Sequence, residues 1–180
     1  RLARGRTEGW GYIDLQGRVI IAPVFDACRP FSEGRASVQV GDKWGVVDRR
    51  GRMVVQPIYG TVSVFRQGRA FFRRYTPPPK GPSGLAPTYK HGLLDRTGKV
   101  VVPPRFWYWY PFSQGLAAVA VDVTTKKDAQ GNTTEFMRLW GVIDVNGRFV
   151  IKPTHHRLGP FSEGLAAAST DVGLQYLDRQ

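Results

Sequence analysis

Five aspartates recur at one position of a repeated block, and this row of carboxylates is the first group in the chain that could do chemistry. Asp14 ends the segment Trp10-Gly11-Tyr12-Ile13-Asp14. Asp48, Asp95, Asp144 and Asp178 end its counterparts at 44–48, 91–95, 140–144 and 174–178. General acid–base catalysis needs two carboxylates that converge on one substrate with separated pKa values. One identical carboxylate per copy, followed three residues later by Gly17, Gly51, Gly98 or Gly147, fits a turn instead. The Asp side chain accepts from backbone N–H groups and the glycine supplies the positive φ.

The rings are the second candidate. Trp10, Trp44 and Trp140 share one repeat position, but His91 and Leu174 fill it in the other copies, so core packing is expected there rather than a stacking ladder for sugars or bases. The run Trp107-Tyr108-Trp109-Tyr110 is different, because the other copies carry no such rings at that point. Alternation along a strand sends Trp107 and Trp109 to one side and Tyr108 and Tyr110 to the other. One pair packs and the other is free to anchor a partner. Cations and further rings gather in two insertions. The first holds Arg73, Arg74, Tyr75, Lys80, Tyr89 and Lys90 around Pro77-Pro78-Pro79, which favours a stiff, extended stretch. The second carries Lys126 and Lys127 on what reads as an extended hairpin with a polar tip. Together with Trp107, Tyr108 and Trp109 these are the candidate partner-binding residues.

Other chemistry finds little footing. His155 and His156 are adjacent, so on a strand they diverge, and Cys28 is the one cysteine. No Gly-x-Ser-x-Gly elbow and no phosphate-cradling loop occurs. No catalytic residue, metal or cofactor is expected.

These residues are positioned by a repeat. A Pro lies 13 residues after each block's first position (Pro23, Pro57, Pro104, Pro153) and a Phe lies 21 after it (Phe31, Phe65, Phe112, Phe161). Three copies then read Pro-Phe-Ser-Glu-Gly or Pro-Phe-Ser-Gln-Gly. Trp-Gly-x-Ile-Asp reads as a strand, Asp-x-x-Gly as a tight turn, and Arg52-Met53-Val54-Val55 and its counterparts as the return strand, which Pro then ends. Ser-Glu-Gly is a second turn, leading into an Ala-rich strand such as Leu116-Ala117-Ala118-Val119. Small Ala implies close approach by Trp or Phe of a neighbouring layer. The expected architecture is all-β: a tandem array of about three short antiparallel strands per unit, open and twisted, with a closed propeller-like or barrel-like arrangement as the alternative. The repeats run 10–43, 44–90, 91–139 and 140–173 in one domain, 1–180, with partial units at 1–9 and 174–180. The period is 34 residues at both ends but 47 and 49 in the middle. The extra length always falls between the Ala-rich strand and the next Trp-Gly strand, so both insertions emerge at equivalent points of the array, commonly on one face.

The chain resembles the WG-repeat (KWG) family in its Trp-Gly-x-(Ile/Val)-Asp blocks, the Gly-Arg that follows and the Pro-Phe-Ser-Glu-Gly block. The resemblance implies a β-rich repeat used as a surface or scaffold, without a shared enzymatic activity, in a bacterial setting with the periplasm, cell surface or exterior favoured over the cytoplasm.

With 180 residues and 42% apolar content the composition is globular, and no apolar run is long enough for a membrane-spanning helix. Lys and Arg number 26 against 14 acids, a net charge of +12, which attracts anionic partners. No basic run and no nucleic-acid-binding signature accompanies it, so nucleic acid is not the expected partner. The expected function is a non-catalytic module that binds a protein with an acidic surface. The alternative is a cell-envelope module that binds anionic glycan or peptidoglycan.

Overall fold

The computed structural model describes residues 9–76, 88–127, 130–131, 133–170 and 173–177. All regular structure among them is β. The first sheet pairs β1 (Trp10–Ile13) with β2 (Val19–Phe25). The second is a four-stranded meander of β3 (Ala27–Cys28), β4 (Arg35–Val40), β5 (Lys43–Asp48) and β6 (Met53–Tyr59). The third repeats it with β7 (Thr61–Val62), β8 (Arg69–Thr76), β9 (Thr88–Asp95) and β10 (Val100–Phe106). The fourth does so with β11 (Tyr108–Trp109), β12 (Leu116–Lys127), β13 (Thr133–Asp144) and β14 (Phe149–His155). The fifth has β15 (Arg157–Leu158), β16 (Ala166–Thr170) and β17 (Gly173–Leu177). All pairs are antiparallel, and no sheet closes into a barrel: the array is open. Three kinds of strand form the ladder as expected, but each four-stranded sheet joins the Ala-rich strand of one repeat to the Trp-Gly and return strands of the next, and a two-residue strand adds an edge to it. That edge follows directly from the return strand of the preceding sheet through a bend at Asp26, Gly60, Trp107 or His156.

Both turns take the form their residues dictate. At the Asp-x-x-Gly turn, Gly51 has φ +76° and its N–H donates to Asp48 O at 3.0 Å, while the Asp48 carboxylate accepts from the N–H groups of Arg50 (2.9 Å) and Arg52 (3.0 Å). The carboxylates of Asp14, Asp95 and Asp144 are used in the same way. At the Ser-Glu-Gly turn, Glu33 (φ 52°) and Gly34 (φ 77°) both sit in the left-handed region, between a pair of hydrogen bonds joining Ser32 and Arg35. Positive φ at both central residues makes this a type I′ hairpin turn.

The return strands do not stop at Pro. Each passes through it on a wide bulge: Trp44 pairs with Tyr59 and Val46 with Val55, so Gln56, Pro57 and Ile58 all oppose Gly45. Pro is tolerated because the bulge leaves its position out of the ladder. The bulge also explains the Gly of every Trp-Gly pair. A Cβ on Gly45 would lie 2.5 Å from Val55 O, and one on Gly141 would lie 2.7 Å from Ile151 O.

The core lies between successive sheets. Ile21 and Phe25 of the first sheet meet Ala36 and Val38 of the second. Val46, Val55 and Tyr59 of the second meet Val62, Phe65, Ala70 and Phe72 of the third. Phe71, Leu93 and Phe106 of the third meet Phe112, Ala117, Val119 and Ile143 of the fourth, and Ala118 and Val142 of the fourth meet Leu158, Phe161, Ala166 and Ala168 of the fifth. Inner sheets are thus buried on both faces. The Phe after each edge strand fills the gap, and Ala in the facing ladder leaves room for it, as Ala118 does near Phe161.

Polar contacts join the same layers. The Glu33 carboxylate accepts from Gly68 N–H at 2.7 Å, and the Gln67 amide oxygen accepts from Gly115 N–H at 2.6 Å. Ser32 Oγ donates to Phe65 O at 2.7 Å. Arg35 Nε reaches Arg96 O (2.7 Å) and Arg69 Nε reaches Val145 O (2.6 Å), each on the Asp-x-x-Gly turn of the following sheet.

Acid is expected to unfold this array. Hydrogen bonding from the Arg18 N–H holds Asp14 below the usual carboxylate range. At Asp48 burial pushes the other way but is outweighed by hydrogen bonds from the Arg52 side chain and the turn N–H groups. At Asp95 burial is likewise outweighed, by the Thr97 hydroxyl and the N–H groups of Thr97 and Lys99. With lowered native values, the unfolded chain takes up protons first as pH falls. The stabilisation is therefore complete above the ordinary carboxylate range and is lost as pH falls from that range through the lowered native values. The urea midpoint should be flat near neutrality and drop below about pH 4. Asp95→Asn should make that drop shallower, and an unchanged acid limb in this variant would remove the turn carboxylates as its cause.

Candidate binding surface

The two insertions continue hairpins of the third and fourth sheets. The β8–β9 ladder is registered as far as Thr76 opposite Thr88, and the β12–β13 ladder as far as Lys127 opposite Thr133. The extended hairpin expected of the second insertion is present. Pro77, Pro78, Pro79 and Lys80 lie outside the described residues, as do the side chains of Lys126 and Lys127.

The bases of the two hairpins touch. Lys90 Nζ on β9 forms an ion pair with Asp122 on β12 at 2.8 Å, and both side chains are mostly buried. Trp107 Nε1 donates to the other Asp122 oxygen at 2.6 Å. Lys90 Nζ lies 4.9 Å from the Trp107 ring centroid, and the Arg138 guanidinium lies 4.0 Å from it. One carboxylate and one indole thus hold two cations, and Trp107 cross-links adjacent sheets.

The ring run divides by alternation over 108–110, while Trp107 sits at the bend and shares Arg138 with Tyr108, whose ring lies 5.7 Å from the guanidinium. Trp109 turns towards the third sheet and stacks on Phe71 (4.3 Å between centroids, 9° between planes), with His91 edge-on at 6.1 Å. Burial lowers the His91 pKa, which favours a neutral ring suited to that packing. Tyr108 and Tyr110 take the opposite side and lie against Trp140, 6.2 Å and 5.5 Å from its ring. Tyr108 is 54% exposed. Trp44 and Trp140 are half-buried against core clusters, while Trp10 on the first sheet is exposed.

On β8 and β9, Tyr75 and Tyr89 form an exposed cross-strand pair, with Arg74 exposed beside them. Arg73 is half-buried, its guanidinium 5.0 Å from the Tyr89 ring. Two grooves flank the hairpin contact. One, about 760 Å³, lies between the second and third sheets and is lined by Lys43, Ile58, Arg74, Tyr75 and Tyr89. The other, about 370 Å³, lies between the fourth and fifth and is lined by Tyr108, Trp140, Arg138, His156 and Arg157. Among the described residues no carboxylate lines either groove, although Lys43 is paired with Asp42 at 2.8 Å. Asp122 is already engaged by Lys90, Trp107 and Arg138.

Arg138, Asp122 and Arg157 were not singled out by the sequence. The register of the second hairpin carried the signal for the first two, because Asp122 pairs directly with Arg138. The role of Glu33 and Gln67 as acceptors for the next sheet also escaped it. The signal there was an acid or amide kept at a positive-φ position that such residues seldom occupy.

An open all-β array of stacked antiparallel meanders, built on recurring Trp-Gly strands and lengthened at two of its hairpins, defines the class of protein. The family model described as WG containing repeat matches residues 10–44, 44–74, 92–122 and 140–171, and the chain belongs to that family. No curated protein and no solved structure matches it.

Proposed function

We propose that the chain is a non-catalytic binding module that takes an acidic protein segment along the edge formed by its two long hairpins. The observation that carries this reading is the pair of grooves, each lined by exposed tyrosine and by cations, among them Arg74 and Arg157. Tyr and Arg are favoured at protein interfaces because they offer large contact area and directional donors. The net charge of +12 steers an acidic partner towards them. The shared turn chemistry of the aspartates supports a role without acid–base catalysis.

The test is fluorescence anisotropy with a labelled peptide of alternating acidic and aromatic residues, beside a Lys-rich peptide and heparin. The acidic peptide should bind, and the Lys-rich one should not. Tyr108→Ala combined with Arg138→Ala should weaken binding by about tenfold or more, and replacing 76–88 by a short turn should weaken it further. Equal affinity in these variants would refute the reading, and so would binding to heparin alone. Pulldown by an insoluble anionic glycan, lost in Trp107→Ala, would favour the cell-envelope alternative, to which Trp107 with its two cations lends support.

A further inference from the structure

We propose that a separate cleft, between the edges of the third and fourth sheets, binds a small organic anion: a carboxylate carried on an aromatic or branched apolar body. The cleft has a volume of about 260 Å³. Its floor is Phe71, Trp109 and Phe112, and Arg29, Arg66 and Arg69 stand around it. This is small beside typical ligand cavities, and it combines an apolar floor with few polar groups, as such cavities do.

Two of the arginines are held in place by the protein itself. Arg29 Nε donates to Val62 O at 3.0 Å, and its guanidinium lies 4.7 Å from the Trp44 ring centroid. Arg69 Nε donates to Val145 O at 2.6 Å and Nη1 to Gly68 O at 3.0 Å. Anchoring through Nε fixes the guanidinium plane while leaving terminal N–H groups for a ligand, and such a fork matches a carboxylate. Among the described residues none of the three arginines forms a salt bridge, although the charge of Arg69 helps to lower the pKa of Asp95, opposite it across the β8–β9 ladder. Glu33, near Arg66, already accepts from Gly68 N–H.

The cleft exists because this copy lacks the rings of the next one and alone adds a cation. Thr61 and Ser63 stand where the next copy has Tyr108 and Tyr110, and Arg66 stands where the other copies have Ser32, Ser113 and Ser162. The small residues leave the space open and the one added cation, Arg66, charges it. The turn and strand pattern of the repeat needs neither change. This site is distinct from the hairpin edge and does not depend on the reading given for that edge.

The probe is phenylacetate, with phenylacetamide as its neutral isostere, titrated while the indole N–H signals are followed by NMR. The Trp109 signal is assigned through Trp109→Phe. Phenylacetate should shift it saturably, and phenylacetamide should bind at least about tenfold more weakly. Thr61→Tyr, which installs the side chain of the next copy, should abolish the shift. Arg66→Glu should weaken binding by about tenfold or more without changing acidic-peptide binding at the hairpin edge. Arg66 is exposed, so that variant keeps the test decisive if Thr61→Tyr does not fold. The proposal is overturned if the Trp109 signal does not move, if acid and amide bind equally, or if the folded variants bind like the parent.

Discussion

Gly45→Ala is expected to lower the unfolding free energy by about 3 kcal/mol or more, as strongly overpacked positions do. The added methyl would meet Val55 O at 2.5 Å, Pro57 N at 3.0 Å and Gln56 C at 3.1 Å. All three are backbone atoms of the bulged strand, so no side chain can swing away, and β5 and β6 must separate. Gly34→Ala is the internal control. Gly34 has φ +77°, but a Cβ there meets nothing within 4 Å. Its cost is limited to the left-handed backbone of a non-glycine residue, about 1 kcal/mol. Urea titrations of both variants measure the difference. Equal losses would mean that the bulge yields to a methyl group and that the Trp-Gly pair has some other cause.

Phe65→Ala is expected to cost about 4 kcal/mol, in the range of fully buried Phe truncations. Phe65 is 1% exposed and joins Val46, Tyr59, Val62 and Phe72 across the second and third sheets. The loss falls on one interface of a nearest-neighbour array, so the form of unfolding should change as well as its midpoint. The parent should melt in one transition. The variant should melt in two, because the second and third sheets are no longer strongly coupled. Calorimetry reads this directly. A single transition displaced to lower temperature would show that the sheets remain one cooperative unit without this ring.

Much of the array was legible in the sequence, because a repeat states each local rule four times. Constant offsets from Trp-Gly to Asp, Gly, Pro and Phe located both turns, the ladder strands and the ring that fills each interface. The Pro bulge was not legible. A Pro within a strand and a Pro after one read alike until the partner's register is known, and only the closeness of Gly45 to Val55 O distinguishes them. At the hairpin edge, the division of the rings at 108–110 followed from period-two alternation, and the place of Trp107 at the bend did not. The ion pair between Lys90 and Asp122 did not, since it joins residues 32 apart on adjacent sheets and depends on how those sheets stack. The arginine-lined cleft was hidden for the same reason. Arg29, Arg69 and Trp109 belong to three different sheets, and the copy-specific Arg66 looks like ordinary wear in a repeat.

The contacts from Glu33 to Gly68 and from Gln67 to Gly115 run one way: each hairpin offers an oxygen forward and receives one from behind. The stack therefore has a sense, like a row of hooks and eyes, and the two faces of an inner sheet are chemically unlike. Two such molecules turned face to face would set hook against hook. Lengthening is compatible with the pattern only by adding modules in the same orientation, and the hairpin tips remain free to be exchanged without disturbing the fastenings beneath them.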